Sequence, residues 1–259
     1  MLIDKIRLFD VDFVNSKFSE FAKVMEKHVL QKDKAYVVTG NPQIMVETFK
    51  SKSYKGCIED ATYVTADGIG VILASKVLTK KSLPERITGF DLMLHLLDFA
   101  NRKKKKVYLL GAEELVLNRA IHNIKMQYPD IKLVGSHHGF FSIKNDGEKI
   151  ANEISQLKPD LTFVALGAPK QETWISTYFS NFESGVFIGV GGSLDVLAGE
   201  CKRAPIIWQK CHCEWLYRIS QKRDKIRRIY ILLLFIRKVV ECWLKKLKLI
   251  GLQAIHRKV

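Results

Sequence analysis

Through the first two hundred residues, short aliphatic and β-branched runs alternate with longer stretches in which apolar positions return every three or four residues. The runs at 37–39, 107–110, 131–134, 161–165 and 186–188 predict strands, because short apolar runs bounded by turn residues suit a sheet covered on both faces. The stretches 43–52, 68–78, 91–102, 115–127, 147–157 and 171–179 predict helices. Strands and helices in alternation predict an α/β fold with a mostly parallel sheet and flanking helices.

Beyond residue 200 the pattern changes. At roughly 100° per residue, Leu232, Leu233, Ile236, Val239, Val240, Trp243, Leu247 and Ile250 fall on one face of a helix, with Arg237, Lys238, Glu241, Lys245 and Lys248 opposite. Charge sharpens the contrast. The chain carries a formal +15, and residues 202–259 hold sixteen Lys and Arg against three acids, so nearly all the excess lies in the tail. Two parts are therefore expected: an α/β core over 1–200 and a basic, amphipathic C-terminal appendage over 201–259 whose partner is anionic. A broad apolar stripe beside a basic one fits a helix lying in a membrane interface. Packing on the core or on another subunit is the plainer reading of the stripe. A non-catalytic nucleic-acid-binding module is the alternative reading of the charge, although nucleic acid offers no apolar phase to match the stripe.

Composition limits the classes further. With 259 residues, 47% hydrophobic and 27% charged, the chain can bury a core and is not composed like a disordered protein. No stretch free of Lys, Arg, Asp and Glu exceeds the twelve residues 35–46, whereas a membrane-spanning helix needs roughly 20 apolar residues. The N-terminal Met1-Leu2-Ile3-Asp4-Lys5 places charges where a secretory signal needs an apolar segment, so export is not expected. Five cysteines, an odd number without a disulfide framework, fit a reducing cytoplasm. Cys211-His212-Cys213 lacks the spacing and the second ligand pair of a zinc site.

Several predicted strands end in glycine-bearing turns: Thr39-Gly40-Asn41-Pro42, Gly111, Gly167-Ala168-Pro169 and Gly189-Val190-Gly191-Gly192. In such sheets ligands bind beyond the carboxyl ends of the strands, where the following helix offers free N–H groups to phosphate. A phosphorylated or nucleotide ligand is favoured. The last turn does not complete Gly-x-Gly-x-x-Gly, since Leu194 stands at its third position, which argues against a dinucleotide dehydrogenase.

Four blocks then arrive in order: Thr39-Gly40-Asn41-Pro42; Ala66-Asp67-Gly68-Ile69-Gly70 with Glu85-Arg86-Ile87-Thr88-Gly89; Leu166-Gly167-Ala168-Pro169-Lys170-Gln171-Glu172; and Gly191-Gly192-Ser193-Leu194-Asp195 through Arg203-Ala204-Pro205 to Glu214-Trp215-Leu216-Tyr217-Arg218. Their order and spacing, from about Val37 to Arg228, resemble the WecG/TagA/CpsF family of bacterial glycosyltransferases. The resemblance implies a Rossmann-like core and inverting transfer of an N-acetylmannosamine-type sugar from UDP to a lipid-linked N-acetylglucosamine. It places that chemistry at the cytoplasmic membrane face, in cell-surface polysaccharide or teichoic acid synthesis. Two departures stand out. Gly40 occupies a position where the family usually has proline, and Lys225 one where it has arginine, which removes the bidentate fork that suits phosphate.

The resemblance assigns Asp67 as the general base that takes the acceptor hydroxyl's proton; by itself Asp67-Gly68 reads as a turn or a helix cap. Thr39, Asn41 and Gln171 either hydrogen-bond sugar or phosphate or cap the helices that begin near Pro42 and Pro169. Arg86 either neutralises a diphosphate or pairs with an acid such as Glu85, while the resemblance implies that Arg218, Lys225 and Arg228 meet the UDP diphosphate. Asp195 is expected at uridine, with Phe140 or Phe141 as a stacking face unless they pack in the core. Asp10-Val11-Asp12 has the metal-binding pattern of many sugar-nucleotide transferases but lies ahead of the first predicted strand. Arginine and lysine are expected to serve where those enzymes use a metal, and no cofactor is expected beyond the UDP-sugar co-substrate.

Overall fold

A computed structural model describes residues 3–201, 205, 208 and 225–256, with the side chains of 225 and 249–256 left aside. Its centre is an eight-stranded sheet: β1 (Lys5–Leu8), β2 (Val11–Val14), β3 (Lys34–Gly40), β4 (Tyr63–Ala66), β5 (Lys106–Gly111), β6 (Lys132–His137), β7 (Leu161–Ala165) and β8 (Gly185–Gly189). Across the sheet the order is β1-β2-β4-β3-β8-β7-β5-β6. Only the β1–β2 hairpin is antiparallel among the described pairings. The mostly parallel α/β architecture expected from the alternation is thus present, and it is Rossmann-like, as the resemblance implied.

The helices are α1 (Phe18–Gln31), α2 (Pro42–Lys50), α3 (Lys52–Glu59), α4 (Ile69–Leu78), α5 (Gly89–Arg102), α6 (Glu114–Gln127), α7 (Ile143–Leu157), α8 (Lys170–Tyr178), α9 (Ser193–Leu197) and α10 (Lys225–His256). Alternation along the central strands sorts them into two layers. Tyr36, Val38, Tyr108, Leu110, Val164 and Phe187 point to the side that buries residues of α2, α3, α4, α7 and α8. Ala35, Val37, Val107, Leu109, Phe163 and Ile188 point to the side of α1, α5 and α6. Strands buried on both faces are why the sequence shows apolar runs there rather than alternation.

The β1–β2 hairpin, α1, α3 and β4 lie outside the elements predicted from the apolar pattern. The hairpin turns through Phe9 (φ 54°) and Asp10 (φ 61°), two residues in left-handed conformation without the glycine or asparagine that normally marks such a turn. It also holds the Asp-x-Asp pattern. Asp12 pairs with Arg7 at 3.3 Å and Asp10 with Lys55 at 3.5 Å, so both carboxylates already face cations.

α10 is packed on the body along part of its length. Ile231 and Phe235 are buried in the same apolar cluster as Ile44, Met45, Val71 and Ala74 of α2 and α4. Gly70 lies at this seam, where a Cβ would press on Pro42 at 3.1 Å and meet the Phe235 ring at an ordinary contact distance of 3.5 Å. Farther on, the Lys246 ammonium donates to the Leu78 carbonyl at 3.2 Å, capping the end of α4. α4 and α10 therefore run side by side in the same direction. Of the stripe expected from periodicity, Leu233, Ile236, Val240, Trp243 and Leu247 are exposed and Leu232 and Val239 half-buried, while the adjoining positions Ile231 and Phe235 face the body.

Candidate active site

A cavity of about 600 Å³ opens at the carboxyl ends of β3 and β4, where ligands of open parallel sheets bind. One end is polar. Asn41 stands just beyond β3 and Asp67 just beyond β4, and Arg86, Thr88 and Arg228 complete the lining there. The other end is apolar, walled by Leu73 and Val77 of α4 and by Leu232, Ile236, Val239 and Val240 of α10. Asp67 is the only acid among the described lining residues.

Local sequence explains each position. Asn41 accepts from the backbone N–H groups of Gln43 (3.0 Å) and Ile44 (3.1 Å), so it caps α2 ahead of Pro42 and turns the chain at the cavity rim. Asp67 is held at the end of β4 by its backbone N–H, which donates to the Gly40 carbonyl at 2.8 Å. Gly68 follows at φ 120°, a backbone conformation that glycine alone adopts without strain, and starts α4 immediately. Gly40 is required sterically, since a Cβ there would lie 2.9 Å from Phe13. Thr88 caps α5, accepting from Asp91 N–H at 3.0 Å and donating to the Asp91 carboxylate at 2.7 Å. The Thr88…Asp91 spacing was a readable capping signal. The amino ends of α2, α4 and α5 thus converge on one cavity, and their aligned peptide dipoles favour an anion there.

Asp67 accepts a long hydrogen bond at 3.4 Å from Gly89 N–H and lines the cavity. Glu85, considered above as a partner for Arg86, instead accepts from the backbone N–H of Phe18. Arg86 and Arg228 come from segments 142 residues apart and meet on the same lining.

Thr39, Gln171 and Asp195 do not line this cavity. The Thr39 hydroxyl donates to the Gly189 carbonyl at 2.8 Å and ties β3 to β8. Gln171, buried at the start of α8, accepts from Gly191 N–H at 3.0 Å and donates to Glu172 at 2.6 Å. It fixes the glycine turn after β8. Asp195 lies half-buried in the first turn of α9. Phe140 is exposed, whereas Phe141 packs against His137 and beneath the Lys170 ammonium. Arg218 and Cys211-His212-Cys213 lie outside the described residues, and so does the side chain of Lys225.

Glu172 closes the third sequence block but carries no role predictable from it. It is fully buried and accepts from the Tyr54 hydroxyl at 2.8 Å as well as from Gln171. Burial pushes its carboxyl above the ordinary glutamate range, opposed by those hydrogen bonds, and the Tyr54 hydroxyl is pushed far up by its own burial and by the carboxylate beside it.

A sequence profile of the Glycosyl transferase WecG/TagA/CpsF family matches residues 6–249, nearly the whole chain. The chain belongs to this family. Among curated relatives, the N-acetylglucosaminyldiphosphoundecaprenol N-acetyl-beta-D-mannosaminyltransferase of Bacillus spizizenii is 38% identical over 220 residues, covering 85% of this chain and 84% of the relative. The protein of that name from Bacillus subtilis is 38% identical over 213 residues, 82% of each chain. That of Staphylococcus aureus strain MW2 is 36% identical over 239 residues, 92% of each chain. In this WecG/TagA/CpsF glycosyltransferase, then, the candidate active site spans the polar end of the cavity and carries Asn41, Asp67, Arg86 and Arg228 together.

Proposed function

We propose that this glycosyltransferase moves N-acetylmannosamine or a related sugar from a UDP donor to undecaprenyl-diphosphate-linked N-acetylglucosamine, with inversion, in cell-surface polysaccharide or teichoic acid synthesis. The observation that carries the reading is the cavity itself. It joins one carboxylate, two arginine residues and three helix amino ends at the carboxyl edge of the sheet, and the named relatives act on such an acceptor.

The acceptor hydroxyl oxygen attacks the anomeric carbon while its proton passes to the Asp67 carboxylate. The new glycosidic C–O bond forms as the bond to the donor diphosphate breaks, and UDP leaves with the electron pair. A single displacement from the opposite face inverts the anomeric centre. Arg86 and Arg228, with the helix dipoles, meet the negative charge on the departing diphosphate. No metal is assigned, so activity is expected to survive EDTA treatment and dialysis, and a large loss restored by magnesium or manganese would overturn that part.

Among the described residues no helix is long and apolar enough to cross a membrane. We place the enzyme in the cytoplasm, peripheral on the inner face of the plasma membrane, with the exposed apolar stripe of α10 and its lysines on anionic lipid. Membership of a glycosyltransferase family leaves the nucleic-acid reading without support. The deciding experiment assays a panel of UDP-sugars against a lipid-diphosphate-linked N-acetylglucosamine acceptor and determines the product linkage. Transfer with inversion is expected, and no transfer from any UDP-sugar rejects the reading.

A further inference from the structure

The apolar end of the cavity has no use in binding a sugar nucleotide. Leu73 (51% exposed) and Val77 (45%) of α4 face it from one side, and Ile236 (48%) and Val240 (45%) of α10 from the other. Contiguous exposed apolar side chains between two packed helices mark a binding surface rather than scattered exposure. The groove is also held open. α10 is seated on α4 at one end through Phe235 against Gly70, and at the other through Lys246 on the Leu78 carbonyl.

What fills it is indicated by what it adjoins. The groove is continuous with the polar end that carries Arg86 and Arg228, so its ligand joins an anionic head directly to an apolar chain. Arg228 lies one helical turn before Leu232. From Arg228 to Val240 a helix rises about 18 Å, room for several isoprene units laid along it. Resting on the acceptor proposed above, we infer that the groove between α4 and α10 seats the head-proximal isoprene units of a polyprenyl diphosphate. The acceptor's diphosphate then shares the cationic end of the cavity with the departing UDP diphosphate, and its sugar reaches Asp67. The enzyme thus reads the lipid chain itself, separately from any bilayer on the outer stripe of α10.

The test is binding without transfer. Calorimetry on the full-length protein compares inorganic diphosphate with geranyl, farnesyl and geranylgeranyl diphosphates, each below its micelle-forming concentration. Affinity is expected to rise about tenfold or more from inorganic diphosphate to farnesyl diphosphate as apolar surface is buried. Leu73→Asp and Val77→Asp should remove most of that gain. Both positions are half exposed, and circular dichroism checks that the variants fold; Leu115→Asp, on the remote helix α6, controls for an added surface charge. Equal affinity for all four ligands, or a chain-length gain that survives both groove substitutions, overturns the inference. Because no sugar moves, the two readings fail separately. Chain-length-dependent binding without transfer would sink the proposed reaction and keep the groove, and transfer without chain-length dependence would do the reverse.

Discussion

Asp67 and Glu172 are two acids in contrasting settings, and the contrast defines their tests. Asp67 lines the cavity and accepts a long bond from Gly89 N–H. Asp67→Asn keeps the shape and removes the basicity, so turnover should fall by about two to four orders of magnitude while UDP still binds by calorimetry. Near-normal turnover in the folded variant would remove Asp67 from the base role. Glu172 is buried and its carboxyl is held above the usual range, mainly by desolvation. Below the unfolded glutamate value both states are protonated. As pH rises towards the raised native value, the unfolded chain has released a proton that the native state keeps, so stability declines over that window. The melting temperature should therefore fall with rising pH there, and Glu172→Gln should flatten the profile. Glu172→Ala leaves the Tyr54 hydroxyl and the Gln171 amide without their acceptor, at a cost of about 1–3 kcal/mol for each unsatisfied group. Legibility divides along the same line. Asn41, Asp67 and Thr88 sit in local turn and cap chemistry that a sequence displays. The partners of Thr39 and Gln171, at Gly189 and Gly191, come from another strand end, which no local pattern announces.

Among the elements, α10 has the most to test. Its periodicity disclosed a helix with an apolar face, but not that the adjoining positions Ile231 and Phe235 would be buried against α2 and α4. That contact passes over Gly70, and one glycine in a sequence carries no sign of the ring packed near it. Phe235→Ala should cost about 3–5 kcal/mol by the usual range for buried phenylalanine, read as a lower urea midpoint. A loss well below 1 kcal/mol would mean that α10 is only loosely seated. Elsewhere, β3, β5, β7 and β8 were legible because strands buried on both faces leave continuous apolar runs. β4, four residues long, leaves too little pattern. α1 does carry a helical signal, its buried Phe21, Ala22, Met25 and Val29 lying at three- and four-residue spacing.

The whole molecule combines a sheet completed by residue 189 with a basic segment that contributes Arg228 to the site. Deleting the residues after Gly199 should leave the sheet folded, at a lower melting temperature because Ile231 and Phe235 no longer cover α2 and α4. Flotation with anionic vesicles should be lost, and transfer should drop even with a short-chain, water-soluble acceptor. If the truncated core turned over that acceptor at the full-length rate, the active site would be confined to residues before Gly199. The two margins of the sheet bear on a different matter. One margin, β1, is a four-residue strand with Lys5 and Arg7 facing solvent; the other, β6, begins at an exposed Lys132 and carries an extra residue opposite Val107–Tyr108. Brevity, outward cations and a bulge each discourage another chain from extending the sheet through its open backbone groups. A protein with so much apolar surface along α10 has a standing hazard of clumping, and margins built this way keep strand-to-strand accretion from adding to it.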